Sequence, residues 1–186
     1  MKNKKQRIFS LVMCALSAAI ISVVSQIAIP TPFGIPITLQ VFAVALCGFL
    51  LGTKYALASV LVYVGMGAIG LPVFYGFRGG VSAIFGDVTG GFIIGFIPLA
   101  VFCGLRKLLY WAKHGKALSL MLGVIGLLLC HIFGIAFYAN LTGIDFLSSA
   151  AVTSLPFLIK DIILVALAFI ITPKIVTAVS KSGYKL

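Results

Sequence analysis

Six stretches of the chain are almost purely apolar, at about 8–29, 38–51, 55–69, 91–105, 117–140 and 150–179, and shorter polar or basic runs separate them. A helix rises about 1.5 Å per residue, so roughly 20 apolar residues cross a hydrocarbon layer about 30 Å thick. The first, fifth and sixth stretches meet that length. The second, third and fourth hold near 15 residues and cross only if their flanks add length or neighbours shield their ends. The pattern predicts an all-α, polytopic membrane protein: one membrane domain over 1–186, built as a bundle of six transmembrane helices. Five or seven spans are the alternatives.

Composition supports lipid as the solvent. Of the 186 residues 62% are hydrophobic and 9% charged, with a mean hydropathy of +1.24, where a soluble domain carries about a quarter charged residues. The start, a basic run to Arg7 followed by apolar residues, resembles a signal peptide. Its apolar run exceeds a typical signal core, and further spans follow, so it is read as a retained first helix. Cys14, Cys47, Cys103 and Cys130 all lie inside apolar runs without metal spacing, and read as small buried hydrophobes. No metal or cofactor is expected.

The net charge of +11 does not point to nucleic acid, because the basic residues punctuate apolar runs. Six spans put both termini on one side. With that side cytoplasmic, 12 of the 14 Lys and Arg residues fall inside, among them Lys4, Lys5, Arg7, Lys54, Arg106, Lys107, Lys113, Lys116, Lys174, Lys181 and Lys185, as the positive-inside rule asks. Arg78 and Lys160 fall outside the pattern. Arg78 lies in the segment 70–90, about 20 residues rich in glycine and aromatics. That is too long for a plain turn and too apolar for disorder, so a loop folded over the outer mouth of the bundle is expected, with 30–37 as a second outer loop.

Three acids occur. Asp145 reads as a solvated loop residue. Asp161 lies in the outer third of the last span, where an ionised group costs on the order of 3 kcal/mol, so it faces a partner or a wet cavity. Neighbouring helical positions point about 100° apart, so Lys160 and Asp161 need not pair; Lys160 either snorkels outward or serves the cavity. Arg78, between Gly76 and the pair Gly79 and Gly80, offers a guanidinium and backbone N–H groups to an anion, a carboxylate or a lipid headgroup. Gln40, where the chain re-enters the membrane, either reads a polar ligand or caps a helix. His131 reads as hydrogen-bonded within the bundle. Phe33, Phe74, Tyr75, Phe77 and Phe92 form an interfacial belt or line an apolar pocket. Small residues at i, i+4 (Ala15/Ala19, Gly48/Gly52, Gly91/Gly95) permit close helix approach.

An enzyme finds no support. Asp87 and Asp161 lack the G-x-G-D pattern of intramembrane aspartyl proteases, and there is no G-x-S-x-G, no H-E-x-x-H and no G-x-x-x-x-G-K-[ST] phosphate loop.

The segments Gly34-Ile-Pro-Ile-Thr-Leu-Gln40, Leu46-Cys-Gly-Phe-Leu-Leu-Gly52, Gly70-Leu-Pro-Val-Phe74, Arg78-Gly-Gly80, Thr89-Gly-Gly91 and Leu155-Pro-Phe157 occur in order. Together they resemble the BioY family, the biotin-specific substrate-binding S components of energy-coupling-factor (ECF) vitamin transporters. The resemblance implies a six-helix S component of the prokaryotic cell membrane that captures biotin from outside and joins a transmembrane coupling subunit and two cytoplasmic ATPases. It topples in the membrane while they spend ATP. Ala15 and Ala19 resemble the family's docking face for the coupling subunit. The implied substrate-binding set is Gln40, Phe74, Arg78, Gly79, Gly80, Thr89, Phe92, Lys160 and Asp161. Asp161 and Gln40 are expected on the ureido group, and Arg78, with Lys160, on the carboxylate. The chain departs from the family twice. It has Asp87-Val-Thr-Gly-Gly-Phe92 for G-P-T-G-G-Y, and Leu164 where a lysine follows the aspartate by three residues. The alternatives are the same machine with lipoate or a biotin precursor, or a membrane scaffold without a small ligand.

Overall fold

A computed structural model describes residues 2–32, 34–109 and 115–183. Phe33, Lys113 and Lys185 lie outside the described residues. The elements are α1 (Lys2–Ser25), β1 (Ala28–Ile29), β2 (Ile37–Thr38), α2 (Gln40–Leu51), α3 (Thr53–Ala68), α4 (Val81–Phe85), α5 (Gly90–Gly104), α6 (Arg106–Leu109), α7 (Gly115–Thr142), α8 (Phe146–Thr153) and α9 (Leu155–Lys181). Lys4–Ser25, Gly90–Leu108, Gly115–Thr142 and Leu155–Lys181 are long and apolar enough to cross a membrane. Helices α2 and α3, of 12 and 16 residues, reach only about 18 and 24 Å.

The stretch 150–179, read from the sequence as one helix, is divided. Ser154 leaves helical geometry (φ −121°, ψ −53°) between α8 and α9. Pro156 has no N–H to donate to the turn before it, and sits where proline is tolerated, in the first turn of the new helix. Asp145 is the N-cap of α8: its carboxylate accepts from the N–H groups of Leu147 and Ser148 at 3.1 and 3.0 Å. Hydrogen bonds from Ser148 hold this carboxyl below its ordinary range.

Helix α2 sits at the centre, packed against α1, α3, α5 and α9, while α5 and α7 form the most extensively packed helix pair. Glycines set those approaches. A Cβ on Gly95 would lie 2.8 Å from both Cα and the carbonyl oxygen of Cys130, and one on Gly48 would lie 2.9 Å from the carbonyl oxygen of Ala100. This is close packing of helices across small residues. On α1, by contrast, Ser17 and Ala18 are buried while Ala15 and Ala19 face out.

The last carbonyls of α2 have no partners within the helix, and cations from α6 supply them. Arg106 Nη1 donates to Phe49 O at 3.3 Å, and Lys107 Nζ to Leu51 O at 3.2 Å. Lys4, Arg7 and Lys54 line one groove at this same end. The other end of α2 opens beneath the β1–β2 hairpin, in which Ala28 pairs with Thr38 and Ile29 with Ile37.

The segment 70–90 is folded. Phe74, 2% exposed, seats its ring on Gly67 and edge-on to Tyr63, centroids 5.4 Å apart. The Gly80 N–H donates to Gly67 O at 2.7 Å. Gln26, in the turn just after α1, donates to Phe74 O and accepts from the Phe77 N–H, each at 3.0 Å. Phe77, a non-glycine residue in the left-handed region (φ +57°), is held there by that bond.

The packing of α5 on α7 predicts that Gly95→Val lowers the thermal unfolding temperature in detergent by several degrees, the cost of overpacking being about 1–3 kcal/mol. A Cβ on Gly65 of α3 meets nothing within 4 Å, so Gly65→Ala is the control and should leave the midpoint unchanged or higher. Equal midpoints for the two variants would contradict the packing account.

Candidate functional site

A cavity lies where α2 begins, walled by α5, α7 and the α8–α9 junction and covered by the hairpin and the Tyr75–Phe77 turn. Ile35, Pro36, Val41, Tyr75, Phe92, Ile93, Phe96 and Phe157 give it an apolar lining. Thr38, Gln40, Thr89, His131, Thr153, Lys160 and Asp161 supply the polar groups. About 560 Å³ inside it is free of protein atoms, part of that open to solvent. The proportions are those of a small-molecule site, mostly apolar with a few convergent polar groups.

Asp161 is 4% exposed and faces the cavity from α9. Oδ2 lies 3.4 Å from His131 Nε2. Lys160 Nζ lies 2.7 Å from Oδ1, but its hydrogen bond is directed to Thr38 O at 2.8 Å, and Oδ1 accepts no hydrogen bond among the described residues. The proximity supplies charge compensation for a buried oxygen. Lys160 and Asp161 therefore pair despite their adjacent positions. The lysine bends back over the helix because the hairpin carbonyl of Thr38 draws its ammonium inward.

His131 Nδ1 lies 2.7 Å from Ser154 Oγ, and its ring stands edge-on to Phe92 at 5.8 Å. Gln40 is fixed at both ends of its amide: Nε2 donates to Tyr63 Oη at 3.1 Å, and Oε1 accepts from Thr38 Oγ1 at 3.1 Å. An amide has two donors and two acceptor lone pairs, so one of each remains for a ligand.

Gln40, Thr89, Phe92, Lys160 and Asp161, singled out in the sequence, line this cavity; Phe74, Arg78, Gly79 and Gly80 do not. Phe74 is packed beneath the loop. Gly79 lets the backbone pass against Leu71 and Gly70, and Gly80 takes φ +94° ahead of α4. The Arg78 guanidinium pairs with Asp87 and sits 5.9 Å above the Tyr75 ring. Asp87 Oδ1 in turn accepts from Thr89 N–H and Oγ1 at 3.0 and 2.9 Å. Arg78 thus stands one side chain back from the cavity, held by a carboxylate of its own loop.

The sequence reading missed Thr38, Thr153 and Phe157 as lining residues. It also assigned His131 to the bundle alone, where the structure makes it both bundle-bonded and cavity-lining. Thr38 carried a signal, two residues before Gln40. Thr153 and His131 become site residues only through the register of α8 and α7.

The model of the BioY family matches residues 1–181. Among similar proteins is a probable biotin transporter BioY of Pyrococcus horikoshii, 39% identical over 162 residues, which span 87% of this chain and 92% of that one. Biotin transporter BioY2 of Lactococcus lactis subsp. cremoris is 32% identical over 185 residues, 98% of this chain and 97% of that one. The fold matches the crystal structure of the S-component for biotin from an ECF-type ABC transporter with a TM-score of 0.84, at 27% identity, over 92% of each chain.

The pairing in the cavity predicts a stability effect. Lys160→Met leaves a buried carboxylate without its cation and should cost about 3 kcal/mol. Lys160→Met combined with Asp161→Leu removes both charges and should recover most of that in a thermal melt. A double variant no more stable than Lys160→Met would contradict the pairing.

Proposed function

The chain belongs to the BioY family, and from that premise we propose that it captures biotin as the S component of an ECF transporter. One observation carries the reading: the Lys160 ammonium and the Asp161 carboxylate sit side by side in the lining of an apolar cavity. An adjacent donor and acceptor of this kind complement a ureido group, whose carbonyl accepts and whose N–H donates. Gln40 contributes its remaining donor and acceptor to the same end. The aromatic and aliphatic walls bury the thiophane ring and valeryl chain, which supply most of the affinity while the polar groups supply discrimination. Lys160, 2.7 Å from Asp161, belongs to the ureido end. The carboxylate lies toward Tyr75 and Thr89, where Arg78 is the cation, and reaches it in competition with Asp87.

In this reading the termini are cytoplasmic and the cavity opens outside. The gathering of Lys4, Arg7, Lys54 and Lys107 at the end of the bundle away from the cavity supports that orientation. The outward Ala15 and Ala19 on α1 form the docking face for a transmembrane coupling subunit. ATP hydrolysis falls to two separate ATPase subunits, in keeping with a chain that has no phosphate loop.

Titration calorimetry of the purified protein tests the assignment. Biotin should bind stoichiometrically, and Asp161→Asn should weaken it by about 100-fold, near 2.7 kcal/mol, while Asp145→Asn leaves it unchanged. Lipoate, without ureido N–H groups, should not compete. Lipoate binding as tight as biotin would instead mean the same machine with another ligand.

A further inference from the structure

Tyr63 of α3 is fully buried, yet its hydroxyl is bonded to a residue of the cavity wall. Tyr63 Oη accepts from Gln40 Nε2 at 3.1 Å, and Gln40 opens α2 in the cavity lining. Packing alone would need only the ring, which stands edge-on to Phe74 with centroids 5.4 Å apart. The oxygen has another use. We infer that Tyr63 is a positioning residue for ligand capture: its hydroxyl holds the Gln40 amide in one sense, with Nε2 toward α3 and Oε1 toward Thr38. One N–H and one lone pair of fixed placement are then left for the ligand. The inference rests on the biotin reading and adds to it a residue outside the cavity lining.

The sense of the amide follows from counting protons. At one end Thr38 Oγ1 accepts from the Gln40 backbone N–H at 3.4 Å and lies 3.1 Å from Oε1, so the Thr38 proton goes to the amide oxygen. At the other end Ser25 Oγ lies 2.5 Å from Val73 O and 2.6 Å from Ser22 O. Carbonyl oxygens only accept, so Ser25 gives them its single proton and keeps its lone pairs for donors. Those donors are Gln26 Nε2, at 2.7 Å, and the Tyr63 hydroxyl. Tyr63 therefore gives its proton to Ser25 and accepts from Gln40. A flipped amide would set Oε1 against an oxygen with no proton to offer. The same polar chain reaches the cover of the cavity. Gln26 bonds Phe74 O and the Phe77 N–H, and Tyr75, between those two residues, lines the cavity. Wall and cover are thus joined through Tyr63 and Ser25.

Biotin titration of the full-length protein and its variants tests this. Tyr63→Phe keeps the ring and removes only the oxygen. Gln40 then samples orientations that do not fit the ligand, and biotin should bind about 5- to 10-fold more weakly. In a Gln40→Leu background the same change should cost less than about 2-fold, because Tyr63 acts through the amide. A merely structural role would give the same loss in both backgrounds, and that result overturns the inference. A second measurement reads the amide itself. In protein carrying isotope-labelled glutamine, solvent exchange of the Gln40 side-chain N–H protons should be about 10-fold faster in Tyr63→Phe than in the wild type. Should Gln40→Leu bind too weakly to titrate, this rate decides alone, and an unchanged rate overturns the inference. Wild-type protein that binds no biotin would overturn the biotin reading and this inference with it. Wild-type binding together with undiminished binding by Tyr63→Phe overturns only the role of Tyr63.

Discussion

A helix of 12 residues at the centre of a membrane bundle is the constraint on which the rest depends. Helix α2 covers about 18 Å of a layer roughly 30 Å thick, and backbone N–H and C=O groups cannot be left bare at that depth. Both ends must therefore be finished by something other than helix. At one end Arg106 and Lys107 cover the carbonyls of Phe49 and Leu51. At the other the β1–β2 hairpin pairs its own backbone, and Lys160 covers the Thr38 carbonyl. Irregular backbone at membrane depth is tolerated where it lines a protein-walled cavity. The binding space is thus the consequence of a short helix, and Gln40 enters it because it is the first residue of that helix.

The same economy governs the acids. Asp145 caps α8, Asp87 ties Arg78 to the start of α5 through Thr89, and Asp161 faces the cavity. Of the three, Asp161 is the buried one, 4% exposed. Charge in a low-dielectric setting is retained where a partner compensates it, and Lys160 provides that compensation.

Much of this was legible in the sequence, and the part that was not has a physical reason. Apolar run length gave α1, α7 and the greater part of α9, and the intramembrane position of Asp161 marked it, by its cost alone, as facing a partner or a cavity, and it lines the cavity beside Lys160. The pairs Gly48/Gly52 and Gly91/Gly95 marked helix approaches, which Gly48 and Gly95 make. The break at Ser154 was hidden because alanine, threonine and leucine on either side continue the apolar run; only Pro156 signalled it. His131 joins Asp161 across 30 positions of sequence, a distance that periodicity cannot bridge. The glycine-rich surroundings of Arg78 suit an anion, and in the structure its guanidinium pairs with Asp87 of its own loop, a partner nine positions away that the sequence did not single out.

The two departures from the family pattern are linked by geometry. Leu164, in place of the family's lysine, is 8% exposed and belongs to the main core cluster. Lys160 precedes it by four residues, and positions i and i+4 of a helix share one face, a turn apart. In the proposed site the cation has moved one turn along the same face of α9 toward the hairpin, where its ammonium serves Thr38 O and Asp161 together. The vacated position was given to packing. At 87 an aspartate stands where the family pattern has glycine and pairs with Arg78, so the cation nearest the outer loop is neutralised within its own loop. Both changes leave the interior of the site electrically balanced when it is empty, which is what a cavity at membrane depth requires.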